Sequence, residues 1–290
     1  MTKPFRHILC PIDFSAHSRA ALRYAADLAQ RGGSRLTALF VNDPLLDAAA
    51  AASAYDMQLL AAETRKQMRR FIQRAGLDAD TPVVIESGHA AQAIRQSAAR
   101  VKADLIVMGS HGLSGARKWL LGSTTEHVLR SSRVPVLVIP PRLANANVKK
   151  RPARVLVAVD LADYGAEDIR AVRQVLSVFD ATAIFLHVMQ PVRQPSWFPA
   201  ADTGTVESDR ARTALVKLAH RVGAGTRCQL VVGDPADEIA AAAASGRAGL
   251  ILLKLRRPST VFGARRGSIT YRVAGQAAAP VLALPEGWIR

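Results

Sequence analysis

Short, almost unbroken apolar runs alternate along this chain with longer stretches in which apolar residues recur at helical spacing. The runs include Leu105 to Met108, Val136 to Ile139, Leu250 to Leu253 and Val281 to Leu284. Such runs, rich in Val, Ile and Leu and lacking a polar face, suit parallel strands covered on both sides. Between Ser15 and Gln30, the positions Ala21, Leu22, Ala25, Ala26, Leu28 and Ala29 make one helical stripe. Ser15 is placed to cap it and Gly32-Gly33 to close it. The same reasoning predicts helices over 49–75, 91–100 and 123–131. Strand and helix therefore alternate, which argues for an open parallel sheet with helices on both faces. Ligands of such sheets sit in a crevice beyond the carboxyl ends of the strands.

The pattern is written twice. Arg6 to Asp13, an apolar run ending in an aspartate, answers to Ala153 to Asp160, and Leu39 to Val41 answers to Leu186 to Val188. Gly88 to Ile94 answers to Gly233 to Ile239, and Asp104 to Met108 answers to Gly249 to Leu253. A repeat of this length predicts two copies of one domain, and 290 residues accommodate two of ordinary size. The expected division is a first domain at 1–145, a polar and basic linker at 146–152, and a second domain at 153–290.

Composition excludes more than it assigns. Hydrophobic residues at 49% and charged residues at 21% describe a packed globule. No apolar stretch approaches the roughly 20 residues that span a bilayer, and the N-terminal apolar run ends at Asp13, too soon for a secretory leader. A cytoplasmic protein without a membrane partner is expected. Cys10 and Cys228 lie in different halves without metal-ligand spacing, so no metal site is expected. The net charge of +16 is shared evenly, +8 in residues 1–145 and +8 in the remainder, with no basic tail. Aromatic residues, at 5%, are too few to build a stacking platform for single strands. The charge reads as a solvated basic surface, and nucleic acid is not expected as a partner.

The strand end at Met108 carries the chemistry. Gly109 and Gly112 follow it, Gly122-Ser123 comes after nine intervening residues, and the helix expected over 123–131 begins there. The glycines remove Cβ atoms where a backbone must pass close to a ligand, and a helix N-terminus offers free amides to phosphate. The lysine-bearing phosphate loop, the dinucleotide turn after the first strand, the serine nucleophile elbow and paired metal-ligating histidines are all missing. Asp13, at the end of the first strand, can accept from two vicinal hydroxyls or cap the following helix.

The glycine spacing G-2x-G-9x-G-[S/T], with the Pro11-Ile-Asp13 opening and the doubled pattern, resembles the universal stress protein family. The resemblance covers nearly the whole chain. It implies two tandem flavodoxin-like or adenine nucleotide α-hydrolase-like domains, each a five-stranded parallel sheet with helices on both faces. It further implies that Asp13 meets the ribose or adenine side, that Val41 meets adenine through its backbone, and that Gly109, Gly112, Gly122, Ser123 and Thr124 hold phosphates. Pro11, Met108 and His111 would line the pocket. The ligand would be ATP, with or without Mg2+. The tandem halves would pair their last strands, Val136 to Ile139 and Val281 to Leu284, across a pseudo-twofold axis, as two chains of a homodimer would, hiding both sheet edges.

The second half departs from the motif. Lys254 falls at the Gly109 position and Arg257 at the Gly112 position, although Gly267-Ser268 still matches Gly122-Ser123. Weak or no nucleotide binding is expected there. Lys254, Arg256, Arg257, Arg265 and Arg266 supply an alternative anion site. The expected function is an ATP-binding stress-response or regulatory protein that signals through occupancy of its first half, acting on a protein partner of unknown identity. A slow ATP hydrolase and a basic nucleic-acid binder are the alternatives. Beyond His111 the motif offers no general base, so no catalytic residue is assigned. Association of two whole chains is left open.

Overall fold

The computed structural model describes residues 5–45, 48, 57–112, 121–143, 151–190, 203–223, 226–255 and 267–288. The first half runs β1 (His7–Ile12), α1 (Ala16–Gly32), β2 (Arg35–Asn42), α2 (Met57–Arg74), β3 (Val83–Ser87), α3 (Ala90–Arg100), β4 (Leu105–Gly109), α4 (Ser123–Ser131) and β5 (Val136–Ile139). The second runs β6 (Arg154–Ala158), α5 (Ala166–Phe179), β7 (Thr182–Met189), α6 (Thr203–Val222), β8 (Arg227–Val232), α7 (Pro235–Ser245), β9 (Leu250–Leu255), α8 (Gly267–Gln276) and β10 (Val281–Pro285). The helix expected over 49–75 is α2; residues 49–56 of that expectation and residues 146–150 of the linker lie outside the described residues.

Local chemistry accounts for the element ends. Ser15, with extended backbone, accepts from the Ser18 amide through its side chain and caps α1, while Gly33 closes the helix in the left-handed region at φ 60°. Asp234 caps α7 by accepting from the amides of Ala236 and Asp237, with Pro235 at the first turn. The strands read as expected for positions buried on both faces: all residues of β4 and β5 are buried.

The strands join into one sheet in the order β3-β2-β1-β4-β5-β10-β9-β6-β7-β8. Pairing within each half is parallel. At the junction β10 pairs β5 antiparallel, with Val281 opposite Val138, Leu282 opposite Leu137 and Ala283 opposite Val136. The last strands thus meet in the way the family resemblance implies, and neither is left as an edge. Layers and strand direction are those of a flavodoxin-like domain. Within each half the order is 3-2-1-4-5, a doubly wound arrangement within the expected flavodoxin-like or adenine nucleotide α-hydrolase-like class.

Helices α1, α2, α5 and α6 cover one face of the sheet, where Leu22, Met68, Ile72, Val172 and Leu215 join a single apolar cluster. Helices α3, α4, α7 and α8 cover the other, through Ile94, Val128, Ile239 and Val273. Cys10 is buried and Cys228 exposed, and both are free thiols. Among the described residues no helix is long and apolar enough to cross a membrane.

The strand order reverses at β1, which has β2 on one side and β4 on the other. Pairing of β1 with β2 continues to Ile12, but pairing of β1 with β4 is made at Ile8 and Leu9. Pro11, which has no amide to donate, sits in the stretch beyond that ladder. The carboxyl ends of β1 and β4 therefore part, and a crevice opens between them at the topological switch point.

Candidate functional site

Asp13 leaves β1 at the crevice, and the turn that follows is tightly specified. Its Oδ1 accepts from the Ser15 amide at 3.1 Å, and its own amide donates to Ser18 Oγ at 3.3 Å. Phe14 takes a positive φ of 64°, and its ring packs on Phe40 and Phe71 at centroid distances of 4.8 and 5.5 Å. That anchoring fixes a backbone conformation that a bulky residue adopts at a cost. Asp13 thus helps to cap α1 while its carboxylate stays half-buried at the strand ends.

The β4 side is built from glycines with different duties. A Cβ on Gly112 would lie 2.6 Å from Asp13 Oδ2, so this glycine brings the loop backbone against the carboxylate. A Cβ on Gly109 would lie 2.9 Å from the backbone carbon of His17. Its glycine requirement therefore comes from seating α1 on β4, a duty that the sequence motif leaves invisible. Gly122 folds back onto the same turn: its amide donates to the Ser110 carbonyl at 2.8 Å, and a Cβ there would stand 3.3 Å from that oxygen and 3.5 Å from His111 Cα. The two ends of the glycine-bearing loop are thereby tied together, although residues 113–120 between them lie outside the described residues.

Helix α4 starts from this tie. Thr125, buried, donates its hydroxyl to the Gly109 carbonyl at 2.9 Å and locks the helix onto the end of β4. Gly122 is the N-cap and provides no side-chain acceptor, so the amides of the first turn carry no side-chain cap. Ser123 is exposed and Thr124 half-buried. A helix N-terminus in this state favours an anion.

Two histidines stand beside Asp13 and Gly112. The His17 and His111 rings lie 5.6 Å apart between centroids. Burial, and then the nearby His111, hold His17 below its ordinary value, with Asp13 opposing. His111 Nδ1 lies 3.0 Å from Ser110 Oγ. Its Nε2 is buried and has no hydrogen-bond partner among the described residues.

The sequence-derived set is thus partly gathered. Asp13, Gly109, His111, Gly112 and Gly122 converge in one cluster, with Ser123 and Thr124 at the adjoining helix start. Pro11 and Val41 are half-buried near the carboxyl ends of β1 and β2, and Met108 is buried within β4. His17, Ser110 and Thr125 escaped the sequence reading. His17 could have been suspected from its place two residues after the cap of α1, which any helix following β1 must carry to the crevice.

The equivalent corner of the second half is built differently. Lys254, at the end of β9, donates to Asp168 Oδ2 at 3.0 Å and to the Asp163 carbonyl at 3.2 Å. Asp168 also accepts from the Gly165 amide at 2.7 Å. Asp160 caps a short 3-10 turn, Leu161–Asp163, and α5 begins only at Ala166, whereas α1 begins three residues after Asp13. Lys254 thus stands where the first half has Gly109, and it reaches the residues that precede and open α5. Its charge is engaged internally, which removes Lys254 from the alternative anion site; Arg256, Arg257, Arg265 and Arg266 lie outside the described residues.

Comparison with known proteins gives a consistent result. A sequence profile described as the universal stress protein family matches residues 4–140 and again residues 153–285. A universal stress protein of Methanocaldococcus jannaschii is 31% identical over 142 residues, which is 47% of this chain and 82% of that protein. Another, of Thermus aquaticus, is 30% identical over 136 residues, 47% of this chain and 98% of its own length. A crystal structure of a universal stress protein from Archaeoglobus fulgidus superposes with a TM-score of 0.64 at 22% identity, covering 96% of each chain. A functionally unknown protein from Pseudomonas aeruginosa superposes at 0.66 and 16% identity, covering 98% of this chain and 93% of its own. At such identities the two structures speak for the fold.

Proposed function

This chain belongs to the universal stress protein family, in two fused copies, and from that membership we propose that its first half binds an adenine nucleotide, ATP, and signals through its occupancy in a stress response. The observation that carries the reading is the convergence at the switch point of an acceptor and a donor pole. Asp13 supplies a carboxylate on the β1 side, suited to vicinal ribose hydroxyls. The uncapped start of α4, with the Ser123 and Thr124 hydroxyls, supplies the phosphate side. Gly112 and Gly122 bring the turn after β4 against Asp13 and Ser110, and His111 Nε2, which has no hydrogen-bond partner among the described residues, adds a further contact. Bound Mg2+ would offset the charge of the triphosphate. The residues of this chain bind and orient, and turnover is not part of the proposal.

The test is native mass spectrometry of the intact chain purified without added nucleotide and again after incubation with ATP. The expected result is a bound adenine nucleotide that is lost in Gly112→Val. A chain that stays ligand-free even with millimolar ATP contradicts the proposal.

A further inference from the structure

We propose that the helical face formed by α1, α2, α5 and α6 docks the phosphate backbone of a nucleic-acid duplex, independently of the nucleotide site. Four exposed cations recur at equivalent positions in the two halves: Arg23 with Arg170, Arg65 with Arg212, Arg70 with Lys217, and Arg74 with Arg221. The structure fixes this alignment. Gly76 and Gly223, both at positive φ, follow α2 and α6, and the buried residues Met68, Phe71 and Ile72 fall on Leu215, Leu218 and Ala219. The second copy has exchanged the strand-end glycine for Lys254 and yet keeps these cations.

The two faces of the sheet treat their cations differently. On the α3, α4, α7, α8 face, Arg100 pairs with Glu86, Arg130 with Glu126, and Arg272 with Asp234 and Asp237. Among the described residues, Arg95 is the one helical Arg or Lys there without a carboxylate partner. On the opposite face Arg31, Lys66 and Arg170 have carboxylate neighbours. Arg65, Arg70 and Arg74 on α2, and Arg212, Lys217 and Arg221 on α6, make no ion pair among the described residues, although Glu63 on α2 attracts Arg70 from a distance and Glu207 and Asp209 lie on α6. Arg70 and Arg74 also stack like charges one turn apart, which disfavours the helix until an anion neutralises them.

The repeated rows of exposed cations select a partner that carries a repeated row of negative charge, the backbone of a duplex. Backbone contact requires cations rather than stacking rings, so the scarcity of aromatics that disfavours a single strand leaves a duplex unaffected.

The test is fluorescence anisotropy of the full chain with a labelled duplex of about 24 base pairs and arbitrary sequence, measured across a salt series. Six phosphate contacts predict an affinity that falls about 10³-fold between ~50 and ~200 mM salt. Neutralising α2 with Arg65→Gln, Arg70→Gln and Arg74→Gln should roughly halve the salt slope and weaken low-salt binding, with circular dichroism unchanged. Arg95→Gln, on the other face, should change neither. Absence of saturable binding at low salt overturns the proposal. So does equal affinity for polyglutamate or a single strand of the same length, or a slope indifferent to the α2 substitutions.

Discussion

Gly109 and Gly112 belong to one motif and have different physical reasons to be glycine. At Gly112 a methyl group meets, among the described residues, Asp13 Oδ2, and the carboxylate can turn about the Oδ1 that accepts from the Ser15 amide. Gly112→Ala should therefore leave stability nearly unchanged while weakening ATP binding about 10-fold, or ~1.4 kcal/mol. At Gly109 the obstacle is the His17 backbone, so α1 must lift from β4. Gly109→Ala should cost about 1–3 kcal/mol of stability by overpacking. Denaturant titration beside nucleotide titration separates the two outcomes. The motif spacing made these glycines legible, but it assigned both to the ligand, because a pattern of residues does not say which neighbour occupies the vacated space.

His17 carries a second residue-scale prediction. Burial, reinforced by His111, holds its folded-state pKa below 6.5, and burial lowers His7 likewise. The folded state thus binds fewer protons than the unfolded chain. The stability from these groups is complete above about pH 6.5 and is lost as pH falls through the unfolded value toward the depressed folded ones. Denaturant midpoints measured from about pH 7.5 to about pH 5.5 should fall for the natural chain and fall less for His17→Gln; parallel curves would show that His17 does not contribute.

At the scale of elements, the start of α5 is where the halves differ most. Lys254 and Asp168 are both about four-fifths buried by side chain, so removing one partner strands a charge. Lys254→Met should destabilise the chain by about 1–2 kcal/mol, less than a fully buried pair would cost because solvent still reaches both groups. Combining it with Asp168→Leu should recover part of that loss. A double-mutant cycle by chemical denaturation measures the coupling. The element boundaries themselves were largely readable: the stripe from Ala21 to Ala29, the Ser15 cap and the Gly33 stop define α1 as the structure has it. The delayed start of α5 was not readable, since it depends on Lys254, some 90 positions away in sequence, reaching back to Asp163 and Asp168.

On the scale of the whole molecule, duplication has produced one sheet with two unlike ends of function. The repeat was plain in the sequence, whereas the pairing of last strands came from the family resemblance, since edge avoidance alone does not single out β5 and β10 while β3 and β8 stay at the ends of the sheet. Strand order was not, since crossover connections of similar length allow more than one neighbour for β1. The central claim is that the first half keeps a nucleotide site and the second has closed its own with the Lys254–Asp168 pair. Isothermal titration of the intact chain with ATP tests it most directly. The account predicts one saturable site per chain, abolished by Gly112→Val and untouched by Lys254→Met; two equivalent sites, or none, would contradict it.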